Sequence, residues 1–116
     1  MVDIITIIIM RSNRSINSLR DLAMFLKNNL NLTSFEVSKE EPGLIPLFPK
    51  RSRSIVHNAV RYGGVKKLLI RAFDLTEKQA EGAIDLLEGA GWIKVERMQP
   101  DWSMGWRDNS LVIFNI

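Results

Sequence analysis

The start of one helix in this chain is marked by Thr76 and Gln79, which are spaced as in a capping box. In that motif the threonine side chain and the residue three positions on satisfy each other's backbone amides. Behind this start, apolar residues recur at helical spacing, at Ala80, Ala83, Ile84, Leu87 and Ala90. Gly91 follows where a helix end favours a left-handed residue. The pattern predicts an amphipathic helix over Glu77–Ala90.

Two further helices are predicted just before the capped helix. The first is Ser52–Tyr62, with an inner face of Ile55, Val56, Ala59 and Val60 and an end marked by Gly63-Gly64. The second is Val65–Phe73, with Val65, Leu68, Leu69 and Ala72 inward and Lys66, Lys67 and Arg71 outward. The linker Asp74-Leu75 is short enough for a helix-turn-helix.

A two-stranded hairpin is predicted after the capped helix. Trp92–Arg97 alternates apolar and polar residues, with Ile93 and Val95 on one face. The nearly apolar Leu111–Ile116 is its predicted partner strand. The connection Gln99–Ser110 is long for a hairpin.

Residues 1–49 are predicted to form a strand, a helix and a second strand. The isoleucine-rich run Asp3–Met10 is interpreted as a buried strand, Ser15–Leu30 as an amphipathic helix, and Thr33–Ser38 as a short strand. Lys39–Lys50 contains three prolines and is expected to be a connector that packs its apolar residues on the core. A chain of 116 residues suits one domain, in which this extension either enlarges the sheet or builds a dimer contact.

Basic residues are concentrated in one block, from Lys50 to Arg71. The block holds seven Lys or Arg and no Asp or Glu, whereas residues 72–108 hold four against eight and residues 1–49 hold five of each. The net charge of +3 understates this asymmetry. Such a block favours a polyanionic partner, and a solvated surface is the alternative interpretation.

Several classes of protein are disfavoured by the residues that are scarce. The chain has no cysteine and one histidine, which excludes a disulfide framework, a Cys-based zinc site and a multi-His metal site. His57 lacks a catalytic companion at a recognisable spacing, so we expect no enzyme, no cofactor and no small-molecule substrate. The apolar N-terminal run is shorter than the ~20 residues that cross a bilayer and follows an acidic residue. We therefore expect a cytoplasmic protein.

The basic block supplies candidate phosphate contacts for a nucleic acid. A helix over Ser52–Tyr62 would place Arg53, His57 and Arg61 on one face, because residues four apart are neighbours. The capped helix adds Lys78 and Gln79, since Lys can hydrogen-bond guanine and Gln adenine. The predicted nucleic-acid contacts are Lys50, Arg51, Arg53, His57, Arg61, Lys66, Lys67, Arg71, Lys78, Gln79 and Arg107.

The capped helix also carries acids that oppose docking into a DNA groove. Its predicted outer side includes four carboxylates that would face phosphates, on Glu77, Glu81, Asp85 and Glu88. Under the alternative interpretation, Gln79 is only a helix cap and the carboxylates are only a solvated face.

Three large apolar side chains lie in the predicted connection Gln99–Ser110, on Trp102, Met104 and Trp106. They either fold back over the sheet or bind a partner, because Trp and Met are enriched at protein interfaces. They are the candidate partner-binding residues. Arg107 beside them has the charge to enter a minor groove.

The order helix, helix, capped helix and hairpin in Lys50–Ile116 resembles the winged helix-turn-helix superfamily. The motif that carries the resemblance runs from Leu75 to Ile93, a capped helix with a Gly-containing end followed by an apolar strand. Within that superfamily, the chain is most similar to modules of phage, plasmid and archaeal replication or regulatory proteins. The resemblance implies an α+β fold: a winged helix-turn-helix with an N-terminal strand–helix extension.

Two functions are compatible with such a module, because winged helices bind nucleic acids and also serve as protein-interaction modules. The first is a transcription regulator or replication accessory that binds duplex DNA through a basic face on residues 50–71. The second is an adaptor that docks a protein partner through its acidic third helix and its Trp-rich wing.

Overall fold

The structure is a computed structural model that describes residues 4–11, 16–41, 50–96, 108 and 110–116. Within these residues the fold is α+β, with four helices and a four-stranded antiparallel sheet. The elements in chain order are α1 (Ile4–Arg11), α2 (Leu19–Asn29), β1 (Thr33–Glu41), β2 (Lys50–Arg61), α3 (Tyr62–Phe73), α4 (Glu77–Gly89), β3 (Ile93–Glu96) and β4 (Leu111–Phe114). The predicted α+β class is confirmed.

Helix α4 is the element that the sequence predicted most closely. Thr76 Oγ1 accepts from the Gln79 amide at 3.1 Å, and Gln79 Oε1 accepts from the Thr76 amide at 2.9 Å, which completes the capping box. Gly91 follows at φ 85°, a left-handed conformation that glycine adopts without strain. The buried residues of α4 are those of the predicted stripe except Ala90, which is exposed.

Helix α3 is present but begins earlier than predicted. It starts at Tyr62, so Gly63-Gly64 lies in its first turn and does not end an earlier helix. Asp74 ends α3 in the left-handed conformation, at φ 52°. Ala72, predicted inward, is exposed, and Phe73 is buried instead.

The predicted hairpin is confirmed, and its second strand also joins the rest of the sheet. β3 and β4 pair in antiparallel fashion, with Ile93 opposite Phe114 and Val95 opposite Val112. β4 pairs on its other side with β2, and β1 pairs with β2. The strand order is therefore β1-β2-β4-β3.

The predicted helix over Ser52–Tyr62 is wrong, because this segment is strand β2 up to Arg61. β2 pairs with β1 from Lys50 to Ala59 and with β4 over its last three residues. A bulge at His57 and Asn58 explains the error, since Asn58 has φ 56° and the register with β1 shifts opposite it. The bulge breaks the alternation, so apolar residues recur at the spacing that indicates a helix.

The predicted strand Asp3–Met10 is also wrong, because Ile4–Arg11 is helix α1. Ile8 is fully buried, and Ile4, Ile5 and Ile7 pack against the same core. The isoleucine run, interrupted only by Thr6, has no alternation, so the β preference of isoleucine alone decided the prediction. Packing in the folded protein overrides that preference.

The next two elements follow the predicted order with different limits. Ser18 caps α2 by accepting from the Asp21 amide at 3.2 Å, so the helix begins at Leu19 and not at Ser15. β1 continues past Ser38 to Glu41. The predicted connector Lys39–Lys50 is thus strand at both ends, and its residues 42–49 lie outside the described part of the chain.

The main core lies between the helices and one face of the sheet. Its most deeply buried large side chains include Ile8, Leu22, Leu26, Val65, Leu69, Ile84, Leu87 and Val112. The rings of Phe25 and Phe73 pack at a tilt with their centroids 5.4 Å apart, which joins α2 to the end of α3. The N-terminal segment therefore contributes helices to the core, and through β1 it enlarges the sheet.

Candidate nucleic-acid interface

The basic block divides between two elements of different kinds. Its members in β2 are Lys50, Arg51, Arg53, His57 and Arg61, and its members in α3 are Lys66, Lys67 and Arg71. The helical face predicted for Arg53, His57 and Arg61 is therefore wrong, because these residues lie on a strand. We call β1 together with residues 50–58 of β2 the β-ribbon.

The β-ribbon and the connection from β3 to β4 lie at opposite ends of the sheet. Arg61 is opposite Leu111, the first residue of β4, so the earlier residues of β2 extend past the C-terminal end of β4. Glu96 is also opposite Leu111, so the chain leaves β3 and enters β4 beside Arg61. We call this second end, where α3 also begins, the wing end.

The described arginines of β2 already have neighbours on β1. Arg53 Nη1 lies 3.5 Å from Glu36 Oε1, and both side chains are exposed. The Arg61 guanidinium lies over the ring of Phe35, 5.5 Å from its centroid, as in a cation–π pair. These two cations therefore already interact with residues of β1.

The register brings acids of β1 alongside the start of β2. Glu41 is opposite Lys50, and Glu40 is opposite Arg51. The side chains of all four residues lie outside the described part of the structure. The backbone register therefore sets acidic positions opposite the start of a block that is free of acids along the chain.

Lys66, predicted to point outward, is buried at 8% exposure. Its ammonium donates to Asp108 Oδ1 at 2.7 Å and to Glu77 Oε1 at 2.8 Å. Burial lowers the pKa of Lys66, but hydrogen bonds and charges from Asp108 and Glu77 outweigh burial and raise the pKa above its ordinary 10.5. Lys66 therefore ties α3 to the first turn of α4 and to the segment before β4. A phosphate contact would require both ion pairs to break.

Lys67 and Arg71 are the exposed cations of α3. They lie one helical turn apart, on the side away from the buried Val65 and Leu69. Neither forms an ion pair with any described residue. This pair presents positive charge that the described part of the chain does not neutralise.

The first turn of α4 lies at the wing end, because Glu77 contacts Lys66 and Lys66 contacts Asp108. Lys78 is exposed there, as predicted. Gln79 is half-buried, and its Oε1 is used by the capping box. Because a bidentate contact to adenine needs both groups of the amide, base reading by Gln79 would cost the helix its cap.

The acids of α4 are concentrated on one flank and are partly engaged. Glu77 pairs with Lys66, and Glu88 Oε2 accepts from the Val95 amide at 3.2 Å. At about 100° per residue, Glu81 falls on that same flank, whereas the exposed Asp85 lies about 20° from Lys78, near the outer line of the helix. Three of the four acids therefore turn toward the neighbouring elements, and Asp85 is the acid that still opposes a polyanion.

Arg11 is a structural contact that sequence reasoning missed. Its guanidinium donates to the backbone carbonyls of Phe73, at 3.3 Å, and Asp74. A cation at this position satisfies the end of α3 and complements the helix dipole. No sequence signal pointed to it, because the run before it was interpreted as a strand. Asp108 was missed as well, since an acid in a predicted loop has no informative spacing.

The predicted wing contacts lie outside the described residues. This applies to Arg107 and to the three candidate partner-binding residues Trp102, Met104 and Trp106. Their predicted roles stay predictions.

His57 hydrogen-bonds Ser34 Oγ through Nδ1 at 2.8 Å on the exposed face of the ribbon.

In the described part of the chain, no group of three or more His, Cys, Asp or Glu could hold a metal ion. No helix there is long and apolar enough to cross a membrane. No protein-family model matches the chain, and no curated protein and no solved structure matches it.

Proposed function

We propose that the chain from α2 to β4 forms a winged helix-turn-helix that binds duplex DNA at the wing end. The proposal rests on one arrangement: β2 leads into the pair α3–α4, and the hairpin β3–β4 returns so that β4 lies between β2 and β3. In helix-turn-helix proteins the second helix of the pair enters the major groove by its N-terminal part. A transcription regulator or a replication accessory would use such a module.

Charge at the wing end supports this orientation. Lys67 on α3 and Lys78 on α4 are exposed cations close to the end from which the predicted wing projects, and Arg71 is exposed one turn further along α3. Arg107 belongs to that predicted wing. Phosphate contacts of this kind supply affinity that does not depend on base sequence.

The test is an anisotropy titration against random duplex DNA at several salt concentrations. Basic modules bind duplex DNA non-specifically in roughly the micromolar to 100 µM range at physiological salt, and we expect this chain to bind in that range or tighter. With Lys67, Arg71 and Lys78 exposed on the helix pair, log affinity should fall against log salt with a slope of about −3. If the chain does not bind duplex DNA at low salt, the proposed function is wrong.

A matched pair of charge reversals locates the interface. Lys67→Glu should weaken binding and reduce the salt slope by about 1, because it removes one phosphate contact. Arg53→Glu makes the same change in charge on the exposed ribbon and should leave the slope unchanged. If both variants lose the same DNA affinity, the ribbon also contacts DNA, and the interface is not confined to the wing end.

An adaptor that docks a protein partner is the second candidate. It is favoured by Leu86, which is 39% exposed on α4 next to the exposed Asp85. An exposed apolar residue of this size gains from desolvation against a partner. If the adaptor is correct, Leu86→Asp should abolish capture of that partner, and the wild-type chain should fail the DNA titration.

A further inference from the structure

We propose that two copies of this chain pair edge to edge through their β1 strands, which joins their sheets into one of eight strands. β1 is an edge of the described sheet and is nine residues long, whereas the other edge, β3, has four. Its outer backbone groups pair with no described strand, and such an edge is a template for another strand. The pairing does not depend on the proposed DNA binding.

The far part of the β-ribbon supplies a physical reason for a further strand. Residues 36–41 pair with residues 50–55, while β4 borders β2 only from Ala59 onward. No third described strand therefore flanks this part of the ribbon. Val37 in this part is 3% exposed, so one face is covered within the chain. A ribbon of two strands still gains stability when further strands are added to its edge. A second copy supplies those strands.

The length of β1 and the charges along it together select one register for this pairing. In an antiparallel pair, directly opposite residues point to the same face of the sheet. A two-fold axis perpendicular to the sheet therefore sets each odd-numbered residue of one β1 opposite an odd-numbered residue of the other, and each even-numbered residue opposite an even-numbered one. An axis at Val37 pairs all nine residues, sets Glu36 opposite Ser38 of the second copy, and opposes no like charges. An axis at Glu36 sets Glu36 opposite itself, and an axis at Ser38 sets Glu36 opposite Glu40. Like charges directly opposite are destabilising.

Ser38 offers a test in which two substitutions of opposite charge shift the dimer in opposite directions. Within one chain, position 38 is opposite Arg53 and is two residues from both Glu36 and Glu40 on the same face of β1. Inside the ribbon, Ser38→Glu therefore gains attraction to Arg53 and repulsion from the two glutamates, whereas Ser38→Lys does the reverse, so these contributions partly cancel. Across the interface, Ser38→Glu faces Glu36 of the second copy and is repelled, whereas Ser38→Lys is attracted to it. Urea denaturation of both variants separates a weaker dimer from a weaker fold.

Sedimentation velocity over a concentration series measures the outcome. The wild-type chain should show a monomer–dimer equilibrium. Because symmetry repeats the contact, Ser38→Glu should raise the dimer dissociation constant and Ser38→Lys should lower it, each by roughly 2- to 30-fold. A wild-type chain that stays monomeric overturns the proposal. So does a dimer that both variants leave unchanged or shift in the same direction.

A covalent test is available because the chain has no cysteine of its own. Val37→Cys places two thiols at the two-fold axis, where opposite Cβ atoms lie about 4.5–5.5 Å apart, near disulfide reach. The control Thr33→Cys lies at the far end of β1, opposite Glu41 in the same register. Mild oxidation should yield a disulfide-linked dimer from Val37→Cys and not from Thr33→Cys. Equal yields would overturn the register.

Discussion

Strand β2 and helix α3 contain the two parts of one basic block, and they use its charges differently. On the ribbon, Arg53 and Glu36 are 79% and 60% exposed and lie 3.5 Å apart. In α3, Lys66 is buried and donates to two carboxylates at 2.7 and 2.8 Å. Solvent screens the first pair and leaves the second strong. Burial therefore decides which charge of the block stabilises the fold, and only exposed cations such as Lys67 are accessible to a partner.

The largest expected effect tests the core of the helix pair. Leu87 is fully buried on α4, whereas its neighbour Leu86 is 39% exposed. Leu87→Ala should lower the free energy of unfolding by roughly 2–5 kcal/mol, through lost burial and the cavity left behind. Leu86→Ala, the same change one residue away, should cost less than about 1 kcal/mol. Similar costs in urea denaturation would contradict the orientation of α4.

The next largest effect concerns the ion pairs that the buried Lys66 forms at the wing end. Removing one partner of a buried pair costs about 3–5 kcal/mol when both groups are buried. Here Glu77 and Asp108 are 67% and 45% exposed, so they regain water when the lysine is lost. We therefore expect Lys66→Met to cost roughly 1–3 kcal/mol.

Lys67→Met is the matched control, with the same substitution on the exposed side of the same helix. It should change the free energy of unfolding by no more than about 0.5 kcal/mol. If the two methionine variants are equally stable, Lys66 contributes no more to the stability of the fold than an exposed lysine does. The proposed difference between the charges of the ribbon and those of α3 would then be wrong.

The pH dependence of stability should follow from the raised pKa of Lys66. A group whose pKa is higher in the folded protein stabilises the fold fully below its unfolded pKa, and this contribution is lost as pH rises through the folded pKa. The wild-type chain should thus keep its full advantage over Lys66→Met below the ordinary lysine pKa of 10.5. That advantage should narrow above pH 10.5. An advantage that instead shrinks between neutral pH and pH 9 would point to another group.

The same two regions show how far the sequence predicts the structure. The limits of α4 depend on contacts three residues apart, between Thr76 and Gln79, and the capping motif revealed them. The strand β2 depends on pairing with β1 and β4, and its bulge at Asn58 gave it a helical spacing. Pairing partners distant in sequence leave no local pattern, so a strand with a bulge was interpreted as a helix.

The candidate site divides in the same way. Exposure of Lys67, Arg71 and Lys78 followed from helical phase alone and was predicted. The inward turn of Lys66 was not, because it depends on Asp108, which is 42 residues away along the chain. Counting charges along a sequence gives the number of charges in a segment, but only the fold shows which charges are close to each other in space.

The smallest expected effect is on the ribbon, where the pair Arg53–Glu36 should contribute little. An exposed ion pair of this kind is worth about 0.2–1 kcal/mol, since both side chains lose freedom and water screens the attraction. A double-mutant cycle with Arg53→Gln and Glu36→Gln should therefore give a coupling energy in that range at low salt. The coupling should fall further as salt rises and the Debye length shortens. A salt-insensitive coupling above that range would mean that the ribbon pair is as sheltered as Lys66, and the two halves of the block would no longer differ.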